Sequence, residues 1–195
     1  MKQTFFLLFS LCTLLISCSE DDNPQIENPP LEIGDEHQGG IIFYIDSTGE
    51  HGLLSSTTDQ SDGASWGCIA TNFPTAQNIE IGSGKDNTQA IVANCLEENI
   101  AAKICTNLVL NGFDDWFLPS INELELMYTY RDSIGGFNEN NFSTYTSSSE
   151  FSPVGTGEYL NCWVYDFGTV EIIPEVRKIN SNKDNQFKVR AIREF

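Results

Sequence analysis

Basic residues are the first thing this sequence is short of. It holds 10 Lys and Arg against 28 Asp and Glu, a formal net charge of −18 at pH 7, and between Lys2 and Lys85 there is none at all. A field of that sign repels phosphate backbones and sulfated polymers, so nucleic acid is excluded as a partner. Histidine is scarce too: His37 and His51 stand alone, and there is no HExxH, GxSxG or EF-hand loop. The run GSGKDNT (82–88) imitates a phosphate loop but fails as one. Ile79 stands where the motif needs Gly and Asp86 where it needs Ser or Thr. It reads instead as a glycine turn leading into a helix. There is no CxxC and no internal repeat, and beyond residue 17 no apolar run approaches the length of a membrane span.

What is present begins with MKQTFFLLFSLCTLLISC (1–18): one positive charge, an apolar run, then a small residue before a cysteine. This is the pattern of a secretory signal. Leu15-Ile16-Ser17-Cys18 resembles the bacterial lipobox, which implies cleavage after residue 17 and a lipid anchor on Cys18. Residues 18–32 are acidic and Pro-rich and read as an extended tether. Ser19-Glu20-Asp21-Asp22 resembles the export signal of Bacteroidota surface lipoproteins, which implies an outer-membrane protein facing the cell surface.

Residues 33–195 carry the aliphatic and aromatic content of a packed core, and abundant Gly, Asn, Ser and Thr imply short elements joined by turns. GGIIFYID (39–46) and GLLSS (52–56), separated by STGEHG, predict a hairpin. A helix is expected from Asn87-Thr88 as a capping pair, with Ile91, Cys95 and Leu96 on one face. A second runs through Ile104, Cys105 and Leu108 and stops at Asn111-Gly112. A third starts at Ser120, which forms a capping box with Glu123 and puts Ile121, Leu124 and Tyr128 on one side. Residues 131–159 read as a long loop region with one short strand at 144–148. Three strand-like runs close the chain: LNCWVYDF, TVEIIPEV and QFKVRAIREF. The expected class is α+β, with two or three helices flanking an antiparallel sheet that joins both termini. The acidic front and the basic cluster Lys188, Arg190, Arg193 predict that the last strand lies near the first.

Four cysteines remain in the folded part, Cys68, Cys95, Cys105 and Cys162. In an oxidising compartment they allow three pairings, among which residue spacing does not choose. Asp114, Asp115 and Glu123 offer hard oxygens that suit Ca2+. The competing reading, adopted here, is that they cap turns and favour a helix N-terminus, leaving no cofactor. Trp116 and Phe117 read as core. Tyr159, Trp163 and Tyr165, beside the long loops, are the candidate ligand contacts.

Taken in order, IGDEHQGGIIFYIDSTGEHGLLSS, GSGKDNT, NGFDDWFLPSINEL, YTSSSE and KVRAIREF resemble the motifs of the Lcl C-terminal domain family of bacterial surface proteins, over about residues 33–195. The resemblance implies a C-type-lectin-like fold in which Asp115, Trp116, Leu118, Pro119, Ser120 and Glu123 are a fold signature rather than a site. Relatives often carry cysteine at the positions of Cys68 and Cys95, so the resemblance implies that pairing and leaves Cys105 with Cys162. Two positions depart from the pattern: Thr146 stands where the family has Trp, and Cys162 where it has a small residue. One family member is an adhesin for sulfated glycosaminoglycans with a collagen-like stalk; this chain has no such stalk and the wrong charge for polyanions. The implied function is recognition of a glycan or protein partner. Alternatives are an accessory subunit of an envelope complex and, because lectin-like folds also host formylglycine-generating oxidases, an enzyme marked by free thiols at Cys105 and Cys162.

Overall fold

The computed structural model describes residues 29–137, 143–152, 159–169 and 176–195. The leader, Cys18 and most of the tether lie outside the described residues, as does most of the expected strand TVEIIPEV. Among the described residues the fold is α+β. The predicted hairpin forms as β2 (Gly40–Ile45) and β3 (Gly52–Ser55), paired antiparallel with Ile41 opposite Ser55. β1 (Glu36–His37) flanks β2, and β9 (Ile192–Glu194) flanks β3 with Leu53 opposite Glu194. Strands from both ends of the domain therefore share one sheet, as the charge asymmetry predicts.

A second sheet has the order β4-β8-β5-β6-β7. It is built from β4 (Ser61–Ala64), β5 (Thr144–Phe151), β6 (Asn161–Asp166), β7 (Lys178–Asn182) and β8 (Phe187–Val189). All its pairings are antiparallel except β5 with β8, where Tyr145 meets Lys188 in parallel. Two expectations are corrected here. The short strand in the loop region is eight residues long and almost wholly buried. The C-terminal run divides into β8 and β9, which belong to different sheets, with Arg190 and Ala191 between them.

Among the described residues four α-helices cover the sheets: α1 (Gly84–Asn94), α2 (Ala101–Thr106), α3 (Ile121–Thr129) and α4 (Arg131–Ile134). The third matches its prediction. Ser120 accepts the Glu123 N–H at 3.3 Å and the Glu123 carboxylate accepts the Ser120 N–H at 2.6 Å, closing the capping box. The first helix does not start where its capping pair was placed. Asn87 and Thr88 lie inside it, fully buried. The Thr88 hydroxyl accepts the Leu118 N–H at 3.1 Å and donates to the Gly84 carbonyl at 2.7 Å, so it ties α1 to the stretch before α3. Nor does α1 reach Leu96, which is 90% exposed, because Cys95 turns to extended backbone and bonds Cys68. The second helix ends at Thr106. Asn111 (φ 54°) and Gly112 (φ 85°) instead form the tight turn between Leu110 and Phe113.

The core has two parts. One packs Trp66, Phe73, Ile91, Cys105 and Trp116 under α1 and α2; the other packs Phe43, Leu124, Met127, Tyr145 and Phe167 under α3. No helix among the described residues is long and apolar enough to cross a membrane.

Candidate functional site

The stretch GFDDWFLPS joins the layers. Phe117 donates its N–H to the Ile192 carbonyl at 2.8 Å and accepts the Ile192 N–H at 3.0 Å, which stitches it onto β9. Trp116, Leu118, Ser120 and Glu123 are buried, while Asp115 stands at the surface against Arg193. Arg193 donates Nε–H to Asp115 Oδ1 at 2.7 Å and Nη2–H to Oδ2 at 3.0 Å, and its guanidinium stacks on Phe113. This fork holds the Asp115 carboxyl below the usual carboxylate range. A lowered carboxyl contributes stability above its unfolded value and loses it as pH falls through the folded one. Asp115→Asn should therefore cost about 1 kcal/mol at neutral pH, the Asp115 side chain being 45% exposed, and should flatten the loss of stability as pH falls below about 4. Urea titrations at pH 7 and pH 3 check both.

The three acids weighed as calcium ligands do not converge. Glu123 points inward, where it accepts the Gly82 N–H at 2.7 Å, and burial pushes its carboxyl up. Asp115 spends both oxygens on Arg193, and Asp114 is exposed beside them on a cleft of about 230 Å³. The one grouping of His, Cys, Asp or Glu close enough to share an ion, among the described residues, is Cys68, Cys95 and Glu97, and its sulfurs are bonded to each other.

The aromatic contacts expected at the loops are also redistributed. Tyr165 is 7% exposed and packs on Tyr128 and Phe167, so it belongs to the core and offers no platform. It shares a face of β6 with Trp163, opposite Cys162 and Val164, and its end of that face is covered by Tyr128 of α3, which is the physical reason. Trp163 is half-buried, edge-on to Phe151 at 4.8 Å with Lys178 above its ring. Tyr159 is half-buried at the edge of the described residues. The structure does not gather the three into one surface.

Cys68 and Cys95 form a disulfide, while Cys105 and Cys162 are buried free thiols, which corrects the second pairing. Cys105 sits in α2 and Cys162 in β6, where Cys162 contacts the Thr146 hydroxyl and the Ser181 carbonyl. Burial raises both thiols, Cys162 to about 12. The Cys68–Cys95 bond spans 27 residues, so its reduction should cost about 3–4 kcal/mol on the loop-entropy estimate. The check is the denaturant midpoint of Cys68→Ser/Cys95→Ser, which should fall accordingly while the fold persists.

Sequence reading missed two buried charge clusters. Lys183 and Glu150 are both fully buried, with Nζ to Oε1 at 2.6 Å. Arg190, also fully buried, sits on Asp59. The basic C-terminal cluster was the available signal; the acidic partners, distant in sequence, gave none. Among the described residues, clefts open on the first sheet's side. One of about 350 Å³ is bounded by Tyr44, Asp46, His51, Ile81, Glu194 and Phe195. A second of about 360 Å³ shares Tyr44 and Ile81. A third, polar, of about 540 Å³ lies along residues 36–40 with Thr57 and Asn111. Compared with known proteins, the chain matches no family model and no curated protein sequence.

Proposed function

We propose that the chain is a lipid-anchored outer-membrane protein displaying a C-type-lectin-like domain of the Lcl C-terminal kind, which recognises a glycan or an envelope protein without catalysing a reaction. The observation that carries this reading is how the buried charges are used. Among the described residues Glu123, Glu150, Lys183, Arg190 and Arg193 all spend their bonds on counter-charges and backbone that hold loops in place. That is scaffolding for surface loops and clefts, where such folds place their specificity. The free thiols, which would mark the oxidase alternative, are buried and raised away from the thiolate that such chemistry uses.

The reading rests on two tests. A glycan array probed with the full chain, with Ca2+ and with EDTA, should give retained signals whose loss in EDTA would mark a metal-dependent site. Silence on the array together with stable co-purification of one envelope protein would move the assignment to the accessory-subunit alternative. For the anchor, Cys18→Ala should abolish incorporation of an alkyne-tagged fatty acid and release the protein from the membrane fraction.

A further inference from the structure

We infer that the cleft across the β2–β3–β9 sheet is a binding site for an uncharged pyranose ring; this rests on the glycan form of the reading above. The cleft follows from strand register. Tyr44 pairs with Leu53 and Leu53 with Glu194, so three neighbouring strands contribute to one rung. The β2–β3 turn brings Asp46 and His51 to its end, and the loop before α1 brings Ile81 over it. Its volume, about 350 Å³, lies at the small end of ligand sites, about 300–1,000 Å³.

The chemistry of the walls selects the ligand. Tyr44, Phe195 and the 41% exposed Ile81 supply apolar and aromatic surface that the C–H face of a sugar ring covers well. Hydrogen-bonding capacity is left over at the rim. Asp46 binds its own turn through Oδ1, taking the Thr48 N–H at 2.9 Å, the Thr48 hydroxyl at 2.5 Å and the Gly49 N–H at 3.2 Å. The Thr48 hydroxyl bond keeps the carboxyl below its usual range and therefore ionised. Oδ2 takes no hydrogen bond among the described residues. Glu194 gives Oε2 to Lys85 at 2.7 Å and keeps Oε1. His51 leans through Nδ1 on the Phe195 carbonyl at 3.4 Å and leaves Nε2 to solvent. No hydrogen bond among the described residues engages the Tyr44 hydroxyl. Two carboxylate acceptors, an imidazole and a phenol around an apolar floor match vicinal hydroxyls on a ring. The same carboxylates repel phosphate, sulfate and carboxylate groups, so acidic sugars are excluded, and the hydroxyl-matching rim suits a neutral ring.

Saturation-transfer NMR tests this with the full chain in detergent and methyl pyranosides of glucose, galactose, mannose and N-acetylglucosamine. At least one should bind saturably. Ile81→Trp, which fills the cleft from an exposed position, and Glu194→Gln, which removes an acceptor, should each weaken it tenfold or more. Trp163→Ala should leave it unchanged. The imidazole resonances of His51 should move on titration. Binding that survives Ile81→Trp and Glu194→Gln but is lost in Trp163→Ala overturns the cleft and keeps the glycan reading. Binding of no pyranoside at all overturns the cleft, and signals on the glycan array then keep the glycan reading.

Discussion

Lys183→Met is expected to cost about 3–5 kcal/mol, a fall in Tm of about 8–16 °C for a domain of this size. Lys183 follows the last residue of β7, its side chain fully buried against an equally buried Glu150 on β5. Its ammonium donates to Glu150 Oε1 at 2.6 Å and to the Thr71 carbonyl at 2.8 Å, beneath the rings of Trp66 and Phe73 at 4.4 and 4.9 Å. Burial alone pulls the amine below the usual lysine range, and Glu150 opposes the pull. Removing the cation leaves a carboxylate in the core with two neutral donors, the Phe73 N–H at 3.1 Å and Gln77 Nε2 at 2.8 Å. Those donors are also why Lys183→Met/Glu150→Met should recover only part of the loss. The pair itself is replaceable by apolar groups, but the Phe73 N–H would then be left without its acceptor. A thermal-denaturation cycle over the two single variants and the double measures this. A double variant no more stable than either single one would mean that the pair contributes through Phe73 and Thr71 rather than through its own attraction.

That cluster also shows where sequence reading succeeds and where it stops. Local signals were sufficient for the β2–β3 hairpin, whose alternation and turn sit within residues 40–55, and for α3, whose capping box is closed three residues apart. Partners far along the chain defeat such signals. Asn87 and Thr88 have cap-like chemistry, yet their partners are Asn78, Ser148, Ser149 and Leu118, so they were drawn inside the helix. The strand expected at 144–148 runs on through Ser149 and Glu150, which looked like loop because they are polar, and Ser147, Ser148, Ser149 and Glu150 are all fully or nearly fully buried in it. Their polarity is satisfied by tertiary bonds, Ser147 Oγ to the Trp163 carbonyl at 2.7 Å and Ser149 Oγ to the Asn78 carbonyl at 2.8 Å. The strand β7 was not among the runs legible in the sequence, because Asn180, Ser181 and Asn182 carry no strand propensity of their own and are recruited by β6. Of the candidate site, the chemistry-bearing residue types were visible, but Glu194 and Tyr44 meet only through the rung of a sheet that pairs residue 53 with residue 194.

Arg190→Lys is expected to cost about 2 kcal/mol and Arg190→Met about 4 kcal/mol. The guanidinium is fully buried and acts as a fork. Nε donates to Asp59 Oδ1 at 2.8 Å, Nη1 to the Ser56 carbonyl at 3.0 Å and Nη2 to the Gly136 carbonyl at 2.6 Å, while its plane lies 4.2 Å over the Phe137 ring. It thus fastens the end of β3 to the loop after α4. The approach is close enough that Gly136, at φ 68°, cannot carry a side chain, since a Cβ there would run into the Thr57 carbonyl. A lysine ammonium reaches one of these partners and cannot span all three in their fixed plane. Asp59 keeps two other neighbours, the Tyr145 hydroxyl at 3.0 Å and Lys188 Nζ at 3.5 Å, which limits the damage on that side. The larger loss falls on the carbonyls of Ser56 and Gly136. Two measurements separate the contributions. Amide hydrogen exchange of residues 134–137 should quicken far more in Arg190→Met than in Asp59→Asn, because only the first releases the loop. Raising salt from 0.05 to 0.5 M should change the wild-type Tm little, the Arg190–Asp59 pair being shielded from solvent, whereas it should weaken the exposed contact of Lys188 with Asp62 at 2.6 Å. Equal exchange rates in the two variants would instead place the loop's anchorage in Phe137 and its aromatic neighbours Tyr145 and Phe167.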